Sequence, residues 1–99
     1  TGMAGLALAA AGVDPTVVVG GRIKEWGGRN LRMGEGDWFV AEADEYQRHF
    51  LSLKPEVVII NNIELDHVDY FKDLADVKQA FGELLERMPE NGLGCIQCR

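Results

Sequence analysis

The chain has no apolar run near the roughly 18 to 20 residues that a membrane-crossing helix requires, and no basic stretch precedes its apolar N-terminal segment. A membrane span and a secretory leader are therefore not expected, and the sequence reads as cytoplasmic. Positive charge is scarce as well: 10 Lys and Arg stand against 16 Asp and Glu, a net charge of -6. Nucleic acid and anionic membranes both call for a basic surface, so neither is expected as a partner. Arg22, Lys24, Arg29 and Arg32 could still form a local patch for a phosphate. Cysteine is limited to Cys95 and Cys98, a lone C-x-x-C near the end of the sequence. With no second ligand pair it makes no zinc site, and two small thiols packed near a strand is the reading adopted. Neither G-x-x-x-x-G-K-[ST] nor G-x-G-x-x-G occurs, so the glycines between Arg22 and Gly36 read as turns rather than as a phosphate cradle.

What remains is the composition of one small globular domain, or of part of a larger one: 99 residues, 46% apolar and 26% charged. Thr1 to Ala11 is rich in Ala and Leu and closes on Gly12, which predicts a helix packed closely on a sheet. A buried helix at residue 1, with no strand before it, implies that the domain begins upstream. Asp14-Pro15 turns the chain into Thr16-Val17-Val18-Val19, a strand expected to end at Gly20-Gly21. Arg22 to Gly36 is expected to be irregular, with short strand pieces. Tyr46 to Leu53 suits a short helix or an ordered loop, stopped by Pro55. Leu74 to Met88 is the clearest helix, because Leu74, Val77, Ala80, Phe81, Leu84, Leu85 and Met88 recur at spacings of three and four. Leu93 to Cys98 starts another strand. The order predicts an α/β fold with a mostly parallel sheet flanked by helices.

Two strands carry the chemistry. Trp38 to Ala41 reads as a buried parallel strand and breaks into Glu42-Ala43-Asp44-Glu45. Val57 to Ile60 reads as a second buried strand and runs into Asn61-Asn62-Ile63-Glu64-Leu65-Asp66-His67. In open α/β sheets ligands bind beyond the carboxyl ends of the strands. Carboxylates and one imidazole at such tips suit Mg²⁺ or Mn²⁺ better than a structural zinc ion. Ordinary polar capping of loops is the alternative, and His49, beside Arg48 and Phe50, is a further residue that could face the site or simply pack.

These residues resemble the central domain of the Mur ligases. The likeness runs through Gly20-Gly21, Asn30-Leu31-Arg32, Gly36 to Glu45 with its E-A-D-E, Phe50 to Pro55, and the N-I-E-x-D-H-x-D of Asn62 to Asp69. It covers most of the chain, from Thr1 to about Gly92. Within the family the wording is most similar to the branch that adds L-alanine to UDP-N-acetylmuramate. A tripeptide-recycling branch shares E-A-D-E-Y and N-N-x-E-x-D-H.

The resemblance implies an enzyme that spends ATP to form an amide: a substrate carboxylate becomes an acyl phosphate, which an amino acid's amine attacks. It implies ATP and Mg²⁺ as cofactors, and UDP-N-acetylmuramate and L-alanine as substrates. By position, Glu42 resembles the glutamate that binds the Mg²⁺ bridging the β- and γ-phosphates, and His67 the histidine that helps hold a second Mg²⁺. Asn62 and Asp66 lie in the same motif as support, with Asp66 or Glu64 expected to orient the His67 ring. Thr1 resembles the last threonine of the phosphate loop, whose lysine and Mg²⁺-binding hydroxyl would lie upstream. Residues 1–99 are thus expected to be a central domain truncated at both ends, unable to catalyse ligation alone and holding no catalytic residue of their own. Phe81 stands near the place of a carbamylated lysine found in several Mur ligases, a departure that favours the L-alanine-adding branch. A non-catalytic α/β module with a metal-binding edge is the reading from another class.

Overall fold

In the computed structural model, which describes residues 1–96, two compact units divide the chain: Thr1–Glu42 and the stretch from Ala43 onward. Cys98 lies outside the described residues, and so does half of the C-x-x-C. Each unit has its own sheet, so the α/β class with parallel pairing is borne out in two sheets rather than one.

The first unit is built on β-branched residues. β1 (Thr16–Ile23) lies between β2 (Arg29–Arg32), which is antiparallel to it, and β3 (Phe39–Ala41), which is parallel. Val17 and Val19 are the buried face of β1. α1 (Gly2–Ala10) covers that face through Gly5, where an added Cβ would come within 2.8 Å of Val17. The helix ends as its sequence predicts. Gly12 at φ +82° donates to the Ala9 carbonyl and Val13 to that of Leu8, which satisfies two of the carbonyls a helix end leaves open. Gly20-Gly21 does not end β1 as expected; the strand continues to Ile23 with a register shift after Val18, because glycine permits the irregular pairing. Trp38 and Phe39 are 46% and 60% exposed, against the expectation of a buried strand; Phe39 is in register with Thr16 and so projects from the face opposite that of Val17, which is the one that α1 covers.

Hydrogen bonds rather than side-chain volume hold the loop before β3. Asp14 accepts from Arg32 (2.8 Å) and from the Glu35 N–H (3.0 Å), and Arg32 also donates to the Pro15 carbonyl (2.7 Å). The chain passes so close here that a Cβ on Gly36 would lie 2.1 Å from the Val13 oxygen.

The second unit has a side-chain core. β4 (Val57–Ile60) and β5 (Leu93–Ile96) pair in parallel, and α2 (Leu74–Glu86) supplies Val77, Ala80 and Leu84 to a cluster with Phe50, Val58, Ile60 and Phe71. β4 was expected to be buried on both faces; instead Val58 and Ile60 point inward while Val57 and Ile59 are exposed, the alternation of a strand with one covered face. Asp73 starts α2 by accepting from the Asp76 N–H at 2.9 Å. Phe81, in the departure noted above, packs edge-on against Phe50. Cys95 is an exposed residue of β5, not a packed thiol, because its side of that strand is uncovered. Among the described residues no helix is long and apolar enough to cross a membrane.

Candidate metal centre

β3 delivers Glu42 at its carboxyl end. The Glu42 N–H extends the parallel ladder to the Val18 carbonyl (3.0 Å), and its carboxylate accepts from the Gly20 N–H. A Cβ on Gly20 would come within 2.6 Å of that carboxylate oxygen and turn the Glu42 side chain aside. Glu42 is exposed and available to a ligand. Thr1, also exposed, precedes α1 and makes no side-chain capping bond; its carbonyl accepts from Gly5.

The second unit gathers the remaining candidates. Asp44, Glu45 and His67 place one ligand atom each within 4.8 Å of one another, two carboxylate oxygens and one ring nitrogen. His67 Nε2 lies 3.4 Å from Glu45 Oε1. The His67 backbone is left-handed (φ +50°), held there by Asp66 accepting its N–H (2.7 Å) and by its carbonyl accepting from Tyr70 (2.8 Å) and Phe71 (3.0 Å). Phe71 is 1% exposed and roots this loop in the core.

Asp44 is held on both oxygens: Oδ1 accepts the Tyr46 N–H (3.0 Å) and Oδ2 meets His49 Nδ1 (3.1 Å). The His49 bond, helped by Tyr46, lowers the Asp44 pKa below the ordinary carboxylate value, so the group is an anion at neutral pH. Tyr46 lies over the His67 ring, centroids 4.8 Å apart, and its hydroxyl donates to Asp69 (2.6 Å), which raises the phenol's pKa. Arg48 clamps the same segment to α2: it donates to Asp76 (2.8 Å) and to the Tyr70 hydroxyl (2.9 Å), and it lies over the Tyr70 and Phe71 rings. Those bonds raise the Arg48 pKa, Tyr70 first, and lower that of Asp76, Arg48 first.

The segment read as a short helix or ordered loop, Tyr46 to Leu53, holds a pair of 3-10 turns over Tyr46–Ser52 broken at Gln47 (φ 51°) and Arg48 (φ 56°). His49 faces Asp44 and not open solvent alone. The expected orienters of the His67 ring are otherwise engaged. Asp66 bonds the His67 backbone, and Glu64 accepts from the exposed Asn62 side chain. Glu45 takes their place at the ring. The sequence groups the strand-tip acids with one imidazole but singles out Glu42 and His67 as the metal ligands, not Asp44 and Glu45, and it gives Tyr46 and Arg48 no part in the site. An aromatic and a cation immediately after three carboxylates were the available signal.

Two carboxylates and an imidazole can hold a hard divalent cation or, without one, an ion pair between Glu45 and a protonated His67. The sequence profile of the Mur ligase middle domain matches residues 29–98. The chain is 54% identical over 92 residues to a UDP-N-acetylmuramate--L-alanine ligase of Desulfitobacterium hafniense, covering 93% of this chain and 20% of that protein. A protein of the same description from Pelotomaculum thermopropionicum is 45% identical over 93 residues, again covering 20% of its length. A crystal structure of the UDP-N-acetylmuramate:L-alanyl-gamma-D-glutamyl-meso-diaminopimelate ligase from Neisseria meningitides superposes with a TM-score of 0.77 at 29% identity, covering 93% of this chain and 33% of that one. The chain thus spans about a fifth of the length of the curated relatives it matches. Matched by that family profile over residues 29–98, the chain belongs to the Mur ligase family.

Proposed function

We propose that this chain is part of a cytoplasmic, ATP-dependent ligase of peptidoglycan synthesis that joins L-alanine to UDP-N-acetylmuramate through an acyl phosphate, and that its share of the work is to hold divalent cations and nucleotide. The observation that carries the reading is the grouping of His67 with Asp44 and Glu45 in a chain 54% identical to a ligase of that description. The donor set fits Mg²⁺: one exposed and one half-buried carboxylate with one imidazole, and no thiolate among them. When bound, Mg²⁺ neutralises the charge that develops on a transferring phosphoryl group.

The chain's own residues supply position and charge. Glu42, aimed by the Gly20 N–H, presents an exposed carboxylate for the cation that accompanies the nucleotide phosphates. His67 presents Nε2 beside the Glu45 carboxylate for a second cation. Asn62 and Thr1 serve the nucleotide side, Thr1 at the start of a helix whose free N–H groups favour an anion. The sugar nucleotide and the amino acid would be gripped elsewhere in the complete protein.

In the complete protein, Glu42→Ala and His67→Ala are each expected to lower L-alanine-dependent phosphate release from ATP by about 100-fold or more, as loss of one charge-stabilising group does. Near-normal turnover in either variant would remove that residue from the reading and favour a non-catalytic binding module. The Neisseria structure supports a second reading, ligation of a recycled tripeptide. Offering the complete protein L-alanine and L-alanyl-γ-D-glutamyl-meso-diaminopimelate side by side separates the two.

A further inference from the structure

Tyr46 touches three groups on the His67 side of the centre. Its backbone N–H holds Asp44 Oδ1 (3.0 Å), its ring lies on the His67 imidazole (4.8 Å between centroids, 45° between planes), and its hydroxyl donates to Asp69 Oδ2 (2.6 Å). Asp69 is two residues past His67, so the bond ties the phenol to the chain just beyond the imidazole. The His49 and Tyr70 rings stand edge-on to Tyr46 at 6.1 and 6.2 Å, which limits where the phenol can go. Left alone, the His67 side chain, 34% exposed, would sample several rotamers about its Cα–Cβ bond. A ring tilted against it at 45° and a carboxylate at Nε2 leave it few.

We propose that Tyr46 is the positioning residue of the candidate metal centre, acting as the middle of an Asp69–Tyr46–His67 relay that holds the imidazole toward Glu45 and Asp44. The inference rests on the reading of His67 as a metal ligand. Tyr46 is not one of the three residues that bring a ligand atom to the centre, and it acts through them. Its hydroxyl matters through Asp69, which stops the ring from swinging off His67, and its ring matters through direct packing. Removing a group that orients a metal-ligating histidine typically costs 10- to 100-fold in metal affinity.

The test is Mn²⁺ binding to the complete protein without ATP or substrates, followed by the electron paramagnetic resonance signal of free Mn²⁺, alongside turnover measured against Mg²⁺ concentration. Tyr46→Leu is expected to weaken Mn²⁺ about tenfold or more. Tyr46→Phe, which keeps the ring and loses the Asp69 bond, is expected to fall between it and the native protein. Both should raise the Mg²⁺ concentration needed for half-maximal turnover more than they lower the maximum. Native Mn²⁺ affinity in Tyr46→Leu would overturn the relay. Should Tyr46→Leu fail to melt cooperatively, Tyr46→Phe decides alone, with native affinity overturning the relay and weakened affinity upholding it. His67→Ala run in parallel keeps the two ideas apart: if it binds Mn²⁺ normally, the metal reading fails, whereas if it loses Mn²⁺ while the Tyr46 variants keep it, only the relay fails.

Discussion

The two units of this chain solve the same problem, fixing a strand tip and its loop, with different materials. In the first, left-handed backbone falls mainly on glycine, at Gly12, Gly27 and Gly28, with Asp14 the exception, and loops are fixed by close backbone contact and the Asp14–Arg32 pair. In the second it falls on Gln47, Arg48 and His67, side chains that pay for that conformation with about 1 to 2 kcal/mol each. Strain persists only where the surroundings over-determine it. Here the surroundings are a core of seven buried residues and the Arg48 and Tyr46 bonds. The first unit is comfortable and ends in one exposed acid, Glu42; the second is strained where it gathers three ligand-capable groups.

That contrast can be broken at its strongest point first. Phe50 is 2% exposed and central to the second core, so Phe50→Ala should cost about 3 to 5 kcal/mol in denaturant unfolding. A cost below 1 kcal/mol would mean that side-chain packing does not support the strained loop. In the first unit the sensitive change adds atoms. Gly36→Ala drives a Cβ toward the Val13 oxygen, and a loss of about 1 to 3 kcal/mol is expected, with no loss meaning that the loop before β3 is free to shift. Gln47→Gly removes a left-handed side chain together with its hydrogen bond to Tyr46, and thermal melting should show a net gain of no more than about 1 kcal/mol. A clear loss would show that Gln47 is not strained.

The smallest expected effect is in acid. Asp14, Asp44 and Asp76 all have pKa values lowered from the ordinary 3.8. A carboxyl whose folded pKa lies below its unfolded one stabilises the fold above the unfolded value, and that contribution disappears as pH falls through the folded value. Stability should therefore be level near neutrality and decline below pH 3.8 as these groups take up protons. Asp76→Asn should be less stable than the native protein at pH 7 and converge on it in acid. A constant gap between the two melting curves down to the lowest pH would contradict the Arg48 assignment.

Much of the fold was legible because periodicity survives in short stretches. α2 shows its three-and-four spacing from Leu74 onward, β4 its run of Val and Ile, and α1 its glycine stop. The family resemblance was legible for a different reason, since E-A-D-E and N-I-E-x-D-H place several chemical groups at once. What failed has a common cause: contacts across the sequence. Nothing local says that β1 runs on through Gly20-Gly21, because β2 supplies the pairing that carries it. Nothing local says that Phe39 is exposed, because exposure depends on its register with β1 and on which face of the sheet α1 covers. The partner of the His67 ring was sought among its neighbours Glu64 and Asp66, while Glu45 reaches it from 22 residues earlier in the chain. Backbone hydrogen bonding had already engaged Asp66, and Asn62 had engaged Glu64.

The most direct test of the central idea, that the second unit tolerates backbone strain in order to hold a ligand, is His67→Gly in the complete protein, with melting temperature and ATP-dependent ligation measured on the same sample. Glycine accepts the left-handed backbone freely and removes the imidazole. A melting temperature equal to or above the native one, together with ligation reduced by about 100-fold or more, is the predicted result. Ligation retained at the native rate would contradict it, and so would a protein markedly less stable than native, since His67 would then be there for the fold.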